Sequence, residues 1–210
     1  MISPEPEPDV IHLVDDDDSF RKAVTRVLQT AGYEVRAYRS AGDFALSATG
    51  ARRRGCLLLD VRMPGPSGLE LQEALARNGD TLPIIFITAH ADVPSSVQAF
   101  KGGAVDFLTK PAKRDVLLGA VRNALAHAAR LHVTEDRRLD LEQRQEKLTD
   151  REQKVFALVV TGKLNKEIAA ELGMAERTVK AHRAQVMRKM QAESFAELVR
   201  IADELDLDPR

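Results

Sequence analysis

Tryptophan is absent from this 210-residue chain, tyrosine occurs twice, and aromatics make up only 4% of it. With 30% charged residues, that composition suits a protein with long exposed helices. A single cysteine, Cys56, excludes an intramolecular disulfide and fits a reducing cytoplasm. It stands inside an apolar run and reads as a small buried hydrophobe. No apolar stretch reaches the roughly eighteen residues of a membrane helix, so no membrane partner is expected. Residues 1–9, rich in Pro and Glu, lack the basic-then-apolar signal pattern and read as a disordered leader. A net charge of −1 gives no global basic field, but the distribution is uneven. Thr149 to Met190 carries nine Lys/Arg against five Asp/Glu, and the residues after it six acids against two bases.

What is present is a series of short apolar segments that end on polar groups. Val10–Val14 runs into Asp15-Asp16, Cys56–Leu59 into Asp60, Ile84–Ile87 into Thr88, and Val105–Leu108 into Thr109-Lys110. Glu34–Tyr38 is a weaker fifth. Such runs alternating with amphipathic stretches read as buried parallel strands with crossover helices. The helices are expected near Ser19–Ala31, Ser40–Ala48, Ser67–Asn78, Val93–Phe100 and from Lys113 onward, with Asp18 and Ser67 at N-cap positions. This is an α/β (βα)5 doubly wound pattern, and the strand order 2-1-3-4-5 makes strands 1 and 3 neighbours. Ligands of open α/β sheets sit beyond the carboxyl ends of the strands. Asp15, Asp16, Asp60, Thr88 and Lys110 therefore converge on one sheet edge.

Each residue type there matches a task in phosphoryl chemistry. A carboxylate at Asp60 can accept a phosphoryl group once the phosphate charge is neutralised. Mg²⁺ held by Asp15, Asp16 and Asp60 suits a hard, octahedral cation. Lys110 adds a second positive charge and Thr88 a hydroxyl donor.

After Leu131 the composition changes. Thr134–Lys147 holds four bases and five acids with no Gly or Pro, and a helical spacing from Leu117 through Leu141 continues into it. Residues 131–147 read as a long, largely exposed helical linker, which transmits orientation better than a flexible one. An all-α unit of four helices follows over 148–210: Asp150–Thr161, Asn165–Leu172, Glu176–Met190 and Ser194–Glu204. Thr149 and Glu152 have capping-box spacing, and Gly162 and Gly173 fall just past helix ends. Ile168, Ala169, Leu172, Val179 and Val186 form the apolar stripe of a helix-turn-helix.

Leu13-Val14-Asp15-Asp16-Asp17, Leu58-Leu59-Asp60-Val61-Arg62-Met63-Pro64-Gly65, Ile87-Thr88-Ala89 and Phe107-Leu108-Thr109-Lys110-Pro111 together resemble the four signatures of a two-component receiver domain, over 10–130. Asn165-Lys166-Glu167-Ile168-Ala169 and Arg177-Thr178-Val179-Lys180-Ala181-His182 resemble a LuxR/NarL-type output domain. The whole chain is similar to FixJ- and StyR-like response regulators. The resemblance implies phosphoryl transfer from a sensor histidine kinase to Asp60, Mg²⁺ on Asp15, Asp16, Asp60 and the Arg62 backbone carbonyl, and a switch pair of Thr88 and Phe107. It also implies a cis Lys110-Pro111 peptide and pairing through Val97, Phe100, Lys101, Val105 and Phe107 into a homodimer on phosphorylation. For the output half it implies double-stranded DNA in the major groove of which the Glu176–Met190 helix lies, and RNA polymerase as a possible partner. Lys180 is then the base-edge candidate, with Arg183 facing near it and Arg177, Thr178, Lys166 and Lys189 holding phosphates. One departure stands out: Ala112 follows Lys110-Pro111 where relatives commonly have phenylalanine.

Two other classes fit parts of this pattern. Aspartate-nucleophile phosphatases also use a strand-end Asp with Mg²⁺, but want a second Asp two residues on, where Arg62 stands. A constitutive DNA-binding protein with the first domain as a mere dimerisation scaffold would not need the intact acidic site.

Overall fold

The computed structural model describes residues 9–47 and 53–207. The expected leader, apart from Asp9, and the end of the second helix at Ala48 lie outside the described residues. The chain forms two compact units, residues 1–131 and 132–210.

In the first unit, β1 (Val10–Val14), β2 (Glu34–Tyr38), β3 (Gly55–Leu59), β4 (Ile84–Thr88) and β5 (Asp106–Thr109) form one parallel sheet in the order β2-β1-β3-β4-β5. Between them run α1 (Asp18–Thr30), α2 (Ala41–Leu46), α3 (Gly68–Arg77) and α4 (Val93–Lys101), and α5 (Arg114–Glu146) follows β5. β1, β3 and β4 are buried at every residue, as strands covered on both faces must be. Alternation divides their side chains between two cores. Ile11, Leu13, Cys56, Leu58, Ile85 and Ile87 pack on Val24 and Leu28 of α1 and on Leu117 and Val121 of α5. Val14, Leu57, Leu59, Ile84 and Phe86 pack on Phe44 of α2, Leu71 of α3 and Ala99 of α4. β2 is weak in sequence because it is an edge strand with one neighbour and largely exposed residues.

Local signals place most helix starts. Ser67 and Glu70 close a capping box on α3, and Asp92 caps α4 through the Ser95 N–H, with Pro94 in the first turn. The cap of α1 is Asp17, not Asp18. Asp17 is extended (φ −78°, ψ 108°), and its carboxylate accepts from the Ser19 and Phe20 N–H groups. Asp18 is already helical, and its exposed carboxylate pairs with Arg21 and Lys22. Four consecutive aspartates made the register ambiguous, and the one with extended backbone takes the cap.

The second unit packs α6 (Asp150–Val160), α7 (Asn165–Leu172), α8 (Glu176–Met190) and α9 (Phe195–Glu204) around one core. Ile168, Ala169, Val179 and Val186 are buried in it with Phe156, Leu198 and Ile201, and Leu172 lies partly buried at its edge. Leu141, near the end of α5, is fully buried in the same core. The last turns of that helix are thus part of a packed surface. Thr149 and Glu152 form the expected capping box on α6. Gly173 closes α7 in the left-handed conformation, φ +63°.

Candidate functional site

The parallel register aligns Val14 of β1 with Leu59 of β3, so the next residues, Asp15 and Asp60, emerge side by side. The Asp60 N–H donates to the Val14 carbonyl at 2.9 Å, extending the ladder by one bond into the site. Asp15 is fully buried, Asp60 nearly so, and Asp16 exposed; each contributes an oxygen to a group within 4.8 Å. These three carboxylates offer the kind of oxygen donors a hard divalent cation takes.

Lys110 arrives from the end of β5, across β4 from these acids. Its N–H donates to the Thr88 carbonyl at 2.8 Å, and its Nζ lies 2.5 Å from Asp15 Oδ2 and 2.7 Å from Asp60 Oδ2. The Lys110-Pro111 peptide is cis. Burial pushes the Asp15 carboxyl above its ordinary pKa, opposed by the hydrogen bond from Lys110. For Lys110, burial works against the ammonium, but the Asp15 and Asp60 carboxylates outweigh it and raise its pKa. The ammonium therefore stays charged between two acids.

Thr88 ends β4 with its side chain buried, and its Oγ1 accepts from the His90 N–H at 3.3 Å. Phe107 is half-buried on β5, 6.1 Å from the Phe86 ring. The Arg62 N–H donates to Asp60 Oδ1 at 3.3 Å, while its guanidinium turns outward to Asp92 at 3.0 Å. The five residues expected at the sheet edge are thus assembled there, with Phe107 on the adjoining strand.

Linear spacing missed three contributors. Arg21 Nη1 donates to the Asp15 carbonyl at 2.7 Å and braces the acidic loop. Gly68 opens α3 so close to Asp60 that a Cβ would lie 2.1 Å from the Asp60 carbonyl oxygen. Phe20 places its ring over Lys110, 4.3 Å from Nζ to centroid. Gly68 was legible only as a turn former, and nothing in the sequence relates residue 20 to residue 110.

In the second unit, α7 and α8 form the helix pair of a helix-turn-helix. Arg177, Thr178 and Lys180 on α8 and Lys166 on α7 are exposed. Arg183 is half-buried, and its Nη1 donates to Asn165 Oδ1 at 2.8 Å, tying α8 to the start of α7. Lys189 does not project as a free phosphate ligand. Its Nζ lies 2.6 Å from the buried carboxylate of Glu152 and donates to the Lys147 carbonyl at 2.9 Å. Neutralising a buried acid outranks solvent for that ammonium.

A doubly wound sheet with an acid cluster and a lysine at its carboxyl edge, followed by a helix-turn-helix, defines a receiver-type regulator with a DNA-binding output unit. Residues 11–122 match the family of response regulator receiver domains, and residues 146–202 the bacterial regulatory proteins of the luxR family. The chain is 43% identical over 196 residues to the response regulator protein TmoT of Ectopseudomonas mendocina, covering 93% of this chain and 89% of that one. It is 43% identical over 197 residues to the transcriptional regulatory protein FixJ of Azorhizobium caulinodans, covering 94% and 93%. Among solved structures it is similar to the response regulator StyR, with a TM-score of 0.81 and 43% identity over 94% of this chain and 99% of that one. The chain belongs to the two-component response regulators of the FixJ/NarL type, and is a phosphorylation-regulated transcription regulator. Among the described residues no helix is long and apolar enough to cross a membrane.

Proposed function

We propose that Asp60 of this cytoplasmic protein accepts a phosphoryl group from a sensor histidine kinase, and that the modified receiver dimerises and strengthens operator binding by α8. The observation that carries this reading is the Asp60 carboxylate, nearly buried at the sheet edge and held by the Lys110 ammonium 2.7 Å away. One Asp60 oxygen attacks phosphorus as the donor's phosphorus–nitrogen bond breaks, leaving an acyl phosphate on Asp60. Mg²⁺ held by Asp15, Asp16, Asp60 and the Arg62 carbonyl would offset the charge shared by the carboxylates and the phosphoryl oxygens. Lys110 follows the charge from the carboxylate to a phosphoryl oxygen, its proton staying on nitrogen.

The added charge of about −1.5 to −2, by analogy with other phosphorylated side chains, biases a two-state element. Thr88 turns its hydroxyl to the phosphoryl group, and the half-buried Phe107 ring moves inward into the space released. Val97 and Phe100, both about half exposed on α4, then take part in a dimer face. On DNA, Lys180 reads base edges in the major groove, while Arg177, Thr178 and Lys166 hold phosphates. Arg183, held by Asn165 through one of its five N–H donors, stands beside Lys180 on the same helix. RNA polymerase is the partner through which the bound dimer would control transcription. The domain limits implied are 10–130 for the receiver and 148–210 for the output domain, joined by helix. The protein turns over no small phosphoester, because Arg62 stands where a phosphatase needs its second acid.

Light scattering with Mg²⁺, before and after beryllofluoride, tests the reading. A monomer-to-dimer shift in wild type, absent in Asp60→Asn, is expected. A shift in both proteins would remove Asp60 from the switch, and no shift in wild type would defeat phosphorylation-driven dimerisation.

A further inference from the structure

Lys110 has a third neighbour besides its two carboxylates. The Phe20 ring lies over its Nζ at 4.3 Å to the centroid. Its position is fixed at backbone and ring: the Phe20 N–H donates to the Asp17 cap at 3.1 Å, and the side chain packs on the core formed with α1 and α5. An ammonium has three N–H donors, and carboxylates or carbonyls bind them at defined directions. A ring face attracts the charge as a whole and claims no single N–H. It therefore keeps a desolvated ammonium in place without fixing where its hydrogen bonds point. That combination suits a lysine that must exchange one acceptor for another during a reaction.

We propose that Phe20 is a positioning residue for phosphoryl transfer, holding the Lys110 ammonium beside Asp60 while leaving its N–H donors free to pass from carboxylate to phosphoryl oxygen. The inference rests on the reading of Asp60 as phosphoacceptor. It concerns this chain's own α1 residue, acting through Lys110.

The test uses the full-length protein with phosphoramidate and Mg²⁺, following the mass of the phosphorylated chain with time. The donor's P–N bond breaks, an Asp60 oxygen bonds phosphorus, and the nitrogen leaves as ammonia. Residue 20 is replaced by mono-, di- and trifluorinated phenylalanine, which keep the ring's shape while weakening its attraction for a cation. Phe20→Leu and Phe20→Tyr complete the series. Phosphorylation is expected to slow stepwise with fluorination, reaching roughly three- to tenfold for the trifluoro ring and Leu, with Tyr near wild type. In a Lys110→Met background the series is expected to be flat. The Lys110 ε-methylene protons should also lose their ring-current shift in Phe20→Leu and keep it in Phe20→Tyr. A flat series with Lys110 present, or a decline that persists in Lys110→Met, would overturn the proposal. A wild-type chain that takes up no phosphoryl group at Asp60 would overturn the phosphoacceptor reading, and this proposal with it.

Discussion

Lys189 Nζ lies 2.6 Å from Glu152 Oε2, so the last turn of α8 is pinned to the first turn of α6. The same carboxylate accepts from the Thr149 N–H at 2.7 Å and completes the capping box. Lys189 holds the Glu152 carboxyl below its ordinary pKa. A depressed carboxyl contributes stability that is present above its unfolded pKa and lost as pH falls through the folded one. Lys189→Met removes the counter-charge from a buried acid. Urea unfolding is expected to show a loss of about 1–3 kcal/mol near neutral pH, with a smaller loss under acid conditions. Operator binding in Lys189→Met should keep the wild-type salt dependence.

Lys180 and Arg177 are expected to behave differently on DNA. Lys180→Ala is expected to cost about 1–3 kcal/mol and to relax preference at one base position. Arg177→Ala should weaken binding to all sequences alike and reduce the slope of log affinity against log salt by about 1. Gel-shift titrations over a range of salt concentrations separate the two.

Lys110 is the only base within ion-pairing distance of Asp15 and Asp60 among the described residues. Lys110→Met leaves two adjacent buried acids facing each other, which costs several kcal/mol at intermediate dielectric, by order of magnitude. Thermal melts without divalent cation should show the variant less stable than wild type, and Mg²⁺ should stabilise the variant more. Its phosphorylation by a small donor should slow by roughly a hundredfold, the scale of one lost charge-stabilising donor.

His12 is buried between the Tyr38 and Phe44 rings, with its Nδ1 3.2 Å from the Tyr38 hydroxyl. Burial lowers its pKa from 6.5 to about 4, helped by the Arg53 and Arg36 charges. The unfolded chain therefore binds the proton more readily. Stability from this group is complete above the unfolded value and declines as pH falls from 6.5 toward 4, by up to about 3 kcal/mol. A His12→Gln protein should lack that component, so the gap between the two urea midpoints changes across this window and is constant above it.

Gly68 gives α3 its close approach to Asp60. Gly68→Ala should destabilise the receiver by about 1–3 kcal/mol, since a Cβ 2.1 Å from backbone oxygen forces that helix start outward. The displacement reaches the Asp60 peptide directly, so phosphorylation should slow as well.

The order of elements and the acids, hydroxyl and lysine at the sheet edge were legible in the chain by itself. Their signals are local: apolar runs ending on Asp60 or Thr88, and capping patterns at Ser67 and Thr149. A parallel sheet then carries strand-end residues to one edge whatever its side chains do elsewhere. Tertiary structure decided which groups were free to act. Lys189 has the composition of a phosphate ligand, yet a carboxylate 37 positions away takes it. Arg183 looks outward on a helical wheel, yet Asn165 holds it. Phe20 has no motif at all and becomes a neighbour of Lys110 only when α1 packs against the sheet edge. Among four aspartates, backbone conformation rather than residue type made Asp15 a site acid, Asp17 a cap and Asp18 a surface ion pair. Periodicity and capping act within a few residues, so sequence carries them. Charge pairing and ring contacts depend on distances that exist only once the cores have closed.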